Sequence, residues 1–218
     1  MKCKKSSSDN IAHAILDGID ESMSSYEIWS GGEWLWNAPE YLMTVKISEN
    51  IIKRVDEKKY ITLEDNVDYI LDIAGAKGRG KYSNRIRKNG RFDIVIWWEN
   101  YTPRTIIEVK NDVFGIYRIS NDIDRIRDVL KRKEEVSTIE SAFMAFYISR
   151  HYKSGDAKRK VELQVRKIKK EIDSRYKDLH CSIYIREKDI YNNDMDAWAS
   201  VVFELRIINK SEWATLSK

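Results

Sequence analysis

Two short apolar stretches each carry a single carboxylate. Phe92 to Trp98 reads Phe-Asp-Ile-Val-Ile-Trp-Trp, and Arg104 to Lys110 reads Arg-Thr-Ile-Ile-Glu-Val-Lys. Both are rich in β-branched and aromatic residues, as buried strands are. The Glu99–Pro103 segment between them is turn-like. A turn centred between Asn100 and Tyr101 sets Asp93 directly opposite Glu108. Opposed side chains have Cβ atoms ~5 Å apart. Two carboxylates ~4 Å apart repel by about 4 kcal/mol at an effective dielectric of about 20. A buried carboxylate needs a partner or a cation, and a divalent cation between the two turns the repulsion into binding. Hard oxygen ligands with open water positions suit Mg2+ or Mn2+ rather than zinc. Such an ion polarises a phosphodiester and lowers the pKa of a bound water. Glu108 and Lys110 project from one face of their strand and Val109 from the other. Lys110 can therefore orient that water or stabilise developing negative charge. The competing reading is an ordinary sheet-edge ion pair between Lys110 and one carboxylate. A bare Glu-x-Lys has no weight in so charged a chain, since Glu57-Lys58-Lys59 fits it too; the apolar strand context makes the difference.

The elements that must position these residues follow from periodicity. Residues 9–21 predict a helix through Ile11, Ile15 and Ile19, started by Ser8 or Asp9. Residues 24–37, with Trp29, Trp34 and Trp36 around Gly31-Gly32, predict a loop or hairpin whose aromatic rings pack onto the core rather than stack on bases. Asn37 is expected to cap a helix with Pro39 in its first turn and Leu42, Val45, Ile52 and Val55 as its apolar stripe. A shorter helix over 66–74 buries Val67, Ile70, Leu71 and Ala74 and stops at Gly75. After the two strands come a helix over 120–135, a buried strand over 142–148, and a long basic amphipathic helix over 156–177. The inward face of that long helix is Val161, Val165, Ile168, Ile172 and Tyr176. Strands near 181–186 and 200–208 close the chain. The order predicts an α/β domain, a central sheet covered by helices.

Length and composition agree with one domain. The chain has 218 residues, 42% apolar and 34% charged, with a net charge of +4. A chain of this size buries about 70% of its surface on folding, and the apolar content excludes a disordered chain. The mild positive charge permits an anionic partner without requiring one. Cys3 and Cys181 make neither a disulfide framework nor a zinc site, which predicts a reducing, cytoplasmic home. His13, His151 and His180 lack metal-ligand spacing. No apolar run is long enough to span a membrane, and the basic Met1–Lys5 start runs into serines rather than a secretory apolar region. The expected division is an extension over 1–36, a core over 38–148 and a C-terminal helix and strands over 149–218.

Gly90-Arg91-Phe92-Asp93-Ile94-Val95-Ile96 followed by Ile106-Ile107-Glu108-Val109-Lys110-Asn111 resembles the core of the PD-(D/E)XK nuclease superfamily, the restriction-endonuclease-like fold. That core is a helix, three strands, a helix and a further strand, and the predicted order over 38–148 is compatible with it. Phe92 stands where the family name has proline, a common variation. The resemblance implies a mixed central sheet flanked by helices and a Mg2+- or Mn2+-dependent nuclease, with DNA as substrate. It implies Asp93 and Glu108 as metal ligands, the Val109 carbonyl as a further ligand, and Lys110 as the catalytic lysine. Many members add a glutamate from the first core helix. Glu40 matches that role by position, and Glu49 is its competitor, sharing a face with Leu42, Val45 and Ile52. The 120–135 helix often adds a polar group; Asp122, Asp124, Arg125, Arg127 and Asp128 are all candidates. A homodimer would let two such sites cut both strands.

Residues 77–91 carry seven cations, among them Lys81, Arg85, Arg87 and Arg91, and no acid. With Gly75, Gly78, Gly80 and Gly90 the segment is expected to be mobile and to let backbone approach a phosphate. Lys81, Arg85, Arg87 and Arg91 are the expected phosphate contacts, giving sequence-independent, salt-sensitive affinity. Gly75–Tyr82 nearly spells a Walker A loop but fails. Tyr82 stands where a Ser or Thr must hold Mg2+, and the segment before it reads as helix rather than strand. The alternative function is a non-catalytic nuclease-fold module that binds nucleic acid or a protein partner.

Overall fold

The computed structural model describes residues 8–54, 60–78, 80–132, 135–153, 155–189 and 195–208. Cys3, the basic start at 1–5, Val55, the Glu57-Lys58-Lys59 match and Arg79 lie outside them. A six-stranded mixed sheet is flanked by helices, with strand order β1-β2-β3-β4-β6-β5. The strands are β1 Ile61–Asn66, β2 Arg91–Trp97, β3 Pro103–Lys110, β4 Ser141–His151, β5 Leu179–Asp189 and β6 Asp196–Ile207. Neighbours are antiparallel except β3 and β4, which run parallel. The parallel pair needs a crossover, supplied by helix α4, Ser120–Leu130.

Helices α1 (Ser8–Ser30) and α2 (Glu40–Arg54) cover one face of the sheet. Their apolar side chains meet Ile94, Ile96, Ile107, Val109 and Phe143. Helices α3 (Val67–Ile73), α4 and α5 (Ala157–Arg175) cover the other, against Val95, Ile106, Met144, Phe146 and Phe203. The alternation of these two sets along β2, β3 and β4 is the period-2 geometry of a strand buried on both sides. No helix among the described residues is long and apolar enough to cross a membrane.

Three sequence expectations are corrected. The 24–37 segment is not a hairpin: α1 runs on to Ser30, and Gly31 and Gly32 end it with φ of +78° and +113°. Trp29 and Trp36 are consequently exposed rather than packed on the core. Asn37 does not cap α2, because it closes a 3-10 turn at Leu35–Asn37, and Glu40 begins the helix after Pro39. The stripe of α2 is also displaced. Met43, Ile47 and Ile51 are buried, with Thr44, Ser48 and Asn50 beside them, while Ile52 is exposed. Small and polar groups suit this interface because α1 and α2 nearly touch. A Cβ on Gly18 would lie 2.3 Å from the Ile47 Cα. Ser22, Ser48 and Asn50 donate to carbonyls of their own helices, Gly18, Thr44 and Lys46. No buried donor is then left over at those side chains. A strand that periodicity did not indicate, β1, forms the sheet edge.

Candidate functional site

The β2–β3 hairpin has the register that the turn demands: Ile94 pairs with Ile107, Val95 with Ile106 and Ile96 with Thr105. One further step along that register sets Asp93 across from Glu108. Glu108 lies toward the α4 side of the sheet, beside Arg125, and Val109 turns the other way into the α1–α2 core. Asp93 is partly buried and its Oδ2 accepts the Val109 N–H at 2.6 Å. Burial raises its pKa, Glu40 and Glu64 raise it further, and the Val109 N–H and Lys110 oppose them; the outcome is about 6. Glu64 reaches this position from β1, where the pairs Leu63–Ile94 and Asp65–Phe92 bracket it opposite Asp93. Its backbone is left-handed, φ +56°.

Glu108 is 2% exposed. Its burial pushes its pKa up to about 8 despite Arg125, with the negative charges of Asp93 and Asp122 adding to the rise. Arg125 Nη1 lies 3.1 Å from Glu108 Oε1. The pair is off the hydrogen-bonding line: Glu108 Oε1 and Arg125 Nε are both buried without a hydrogen-bond partner. Arg125 is itself held from elsewhere. Its Nη2 donates to the Arg91 carbonyl at 2.5 Å, and its guanidinium lies 4.7 Å from the Phe92 ring centre.

Lys110 ends β3 between two carboxylates from opposite layers. Its Nζ is 3.3 Å from Glu40 Oε1 on α2 and 3.9 Å from Asp122 Oδ2 on α4. Burial works against its charge, but Asp122, Glu40, Asp93 and Glu108 together hold its pKa above the ordinary lysine value. Glu40 is fixed by a second contact, since its Oε2 accepts the Asn111 N–H at 3.0 Å. The Asn111 amide donates to the Leu35 and Ala38 carbonyls at 2.7 and 3.1 Å. The turn before α2 is thereby clamped to the end of β3. Glu49 is remote from this arrangement and pairs with Lys46 on the exposed side of α2.

The cations of 77–91 divide. Arg87 Nη1 lies 3.7 Å from Asp122 Oδ1, which places it one carboxylate away from Lys110. Arg85 is paired with Asp128 on α4 at 3.1 Å. Lys81 and Arg91 are exposed. An open pocket of about 680 Å3 is lined by Lys77, Lys81, Tyr82, Asn84, Arg87 and Lys88, with Asp68 also on its wall. The segment is better anchored than its glycines suggest. Ile86 is buried in the core, the Arg132 side chain donates to the Lys77 and Gly80 carbonyls, and its guanidinium stacks on Tyr82.

Asp93, Glu108, Lys110, Glu40 and Arg87 are thus gathered at one end of β2 and β3, while Lys81, Arg85 and Arg91 lie on the flanking segment. Sequence reasoning named the α4 helix without choosing Asp122 and Arg125, and it missed Glu64. The choice depends on which turn of α4 faces Lys110, a tertiary fact with no local signature. Among the described residues, no group of three or more His, Cys, Asp or Glu is arranged to hold a metal ion. Asp93 and Glu108 are oxygen donors of the kind a hard cation takes, and one buried Glu108 oxygen has no hydrogen bond. No known protein family matches the chain, and no curated protein or solved structure matches it either.

Proposed function

We propose that the protein is a Mg2+- or Mn2+-dependent nuclease of the PD-(D/E)XK type, hydrolysing phosphodiester bonds of DNA. The observation that carries this reading is the juxtaposition of Asp93, Glu108 and Lys110 at the end of one hairpin, with Glu40 brought to Lys110 from the first core helix. The run α2, β1, β2, β3, α4, β4 supports it, following the helix, three strands, helix and strand of that superfamily, with α3 inserted between β1 and β2.

In this reading Asp93, Glu108 and the Val109 carbonyl would hold the ion, and Glu40 would extend the set. When bound, the ion supplies charge neutralisation at the scissile phosphate and a more acidic water. The chain's own groups do the rest. Lys110, kept charged by Asp122, Glu40 and Asp93, donates to the attacking water or to the developing phosphorane charge. Glu40 holds the Lys110 ammonium in place. Arg87, beside Asp122, meets a neighbouring phosphate, and Lys81, Arg85 and Arg91 extend that contact along the backbone. The proton carried by Glu108 at neutral pH must leave before the carboxylate binds a cation.

The test is cleavage of plasmid and linear DNA with Mg2+ and with Mn2+, repeated with Lys110→Ala and Asp93→Asn. Cleavage should fall by at least about 100-fold in each variant, the scale on which removal of a transition-state donor acts. Equal activity in all three proteins overturns the reading. One observation favours a second reading, a non-catalytic module that binds nucleic acid or a protein: Arg125 lies 3.1 Å from Glu108, and among the described residues no three-acid cluster accompanies it. Under that reading neither metal changes the melting temperature, whereas an ion that binds the folded state must raise it.

A further inference from the structure

We propose that Trp36 and Tyr41 form a stacking platform for unpaired bases, so that the site at Lys110 prefers single-stranded nucleic acid: ends, flaps or loops. The inference rests on the nuclease reading for its substrate class and adds which form of that substrate is taken.

The two rings flank Glu40 in sequence, and each is 51% exposed. Trp29, Tyr69, Tyr101 and Tyr117 are more exposed still, but Trp36 and Tyr41 flank the glutamate that contacts Lys110. The corner is held from several directions. Leu35 beside Trp36 is fully buried, and Asn111 grips the Leu35 and Ala38 carbonyls. Tyr26 of α1 donates to the Asn37 carbonyl at 3.2 Å, and the Asn37 amide donates to Glu33 at 2.5 Å. The backbone carrying these rings is therefore fixed while the rings face solvent, and ordering them on a ligand costs little further entropy.

What should cover them follows from the groups on either side of Lys110. The contacts run Arg87–Asp122–Lys110–Glu40, from the basic 77–91 segment over α4, through the lysine, to the α2 corner. Along these contacts Arg87 lies on one side of Lys110, and the α2 corner whose residues include Trp36 and Tyr41 lies on the other. A nucleic-acid strand has the same division, with phosphates along one edge and base faces along the other. Aromatic rings can take a base only when its face is free, which in a duplex it is not. Rings beside a phosphate-binding groove are the usual means of gripping single strands without regard to sequence. A protein partner has no comparable reason to require the cationic side.

The experiment uses the full chain in EDTA, so that nothing is cut. Affinities for a short oligothymidylate and for a blunt duplex of the same length are measured by anisotropy, with tryptophan fluorescence read alongside. Trp36→Ala and Tyr41→Ala should each weaken oligothymidylate binding by roughly 5- to 100-fold. Duplex affinity and melting temperature should stay unchanged, and Trp36→Phe should restore most of the loss. The proposal is overturned if single-strand affinity is unaffected, or if single-strand and duplex affinities fall together. It is also overturned if sedimentation shows a wild-type dimer that Trp36→Ala dissolves, since the corner is then an interface between copies. Because binding is read without metal, this result is separable from catalysis. Absence of cleavage with Mg2+ or Mn2+ counts against the nuclease, and absence of a single-strand preference in the wild-type protein counts against the platform.

Discussion

Glu108 and Glu204 are buried almost equally, at 2% and 1% exposure, on opposite faces of one sheet. Their oxygens meet different surroundings. Glu204, on β6, receives the Arg206 Nε at 2.7 Å and its Nη2 at 2.5 Å, and the Tyr184 hydroxyl reaches its other oxygen at 3.4 Å. Arg206 is half exposed, so the pair keeps contact with water. Glu108 has a fully enclosed arginine beside it that is turned to other partners, and one of its oxygens has no hydrogen bond. A buried carboxylate with satisfied oxygens contributes to structure. One left short of donors in low dielectric takes up a proton, and its ionised form is available to a cation.

The largest effect separates the two by activity. Glu108→Gln should abolish Mg2+-dependent cleavage, by at least about 100-fold, a loss of the kind seen when an anionic ligand is removed from a metal site. It should leave the melting temperature nearly unchanged at pH 7, where Glu108 already carries a proton and glutamine imitates it. Glu204→Gln should do the reverse: normal cleavage, and a stability loss of about 1–3 kcal/mol from the mismatched donors of Arg206. Nuclease assays and denaturant unfolding on the two variants decide it. If both variants cut DNA equally well, the contrast between the glutamates has no catalytic meaning.

A second effect is pH dependence. The folded-state pKa values of Asp93 and Glu108, about 6 and about 8, lie above their ordinary values of 3.8 and 4.5. The protonated forms are thus favoured by folding. That stability is complete below about pH 4 and is lost as pH rises through 6 and then 8. The metal-free protein should melt roughly 5–10 °C lower at pH 9 than at pH 5, a shift equivalent to a few kcal/mol in a chain of this size. Glu108→Gln should remove the part of the fall nearest pH 8. Mg2+ should stabilise more at pH 9 than at pH 6, because ion and proton compete for the same oxygens. Scanning calorimetry across pH, with and without Mg2+, measures both. A flat profile would mean that Glu108 is ionised and fully paired.

How far these features were legible differs from place to place. The hairpin register was, because two apolar strands joined by a turn-like Glu99–Pro103 leave little freedom in pairing. The burial of Val161, Val165, Ile168 and Ile172 on α5, with Tyr176 just past its end, was equally plain, since charged residues dominate the rest of that helix. β1 was not: Ile-Thr-Leu-Glu-Asp-Asn lies at the sheet edge with none of its residues fully buried, so it lacks the apolar run of its neighbours. The face of α2 was misjudged because Leu42, Val45 and Ile52 match helical spacing as well as Met43, Ile47 and Ile51 do. Only the close approach of α1 at Gly18 favours the second set, with its small polar companions. Arg125 and Asp122 could be assigned to a helix but not to a role, since Asp124 and Asp128 offer the same chemistry on the same helix.

The smallest effect refines the account of Glu204. Tyr184 donates to Asp9 at 2.6 Å and only weakly, at 3.4 Å, to Glu204. Tyr184→Phe removes both contacts and keeps the ring. If Arg206 is what satisfies Glu204, the substitution should cost about 1 kcal/mol or less, the net worth of one part-exposed hydrogen bond, with cleavage unchanged. A loss of about 3 kcal/mol or more would make the hydroxyl essential to the buried charge. Glu204 would then resemble Glu108 in being held by a single marginal partner, and the difference between the two glutamates would rest on their position in the sheet alone.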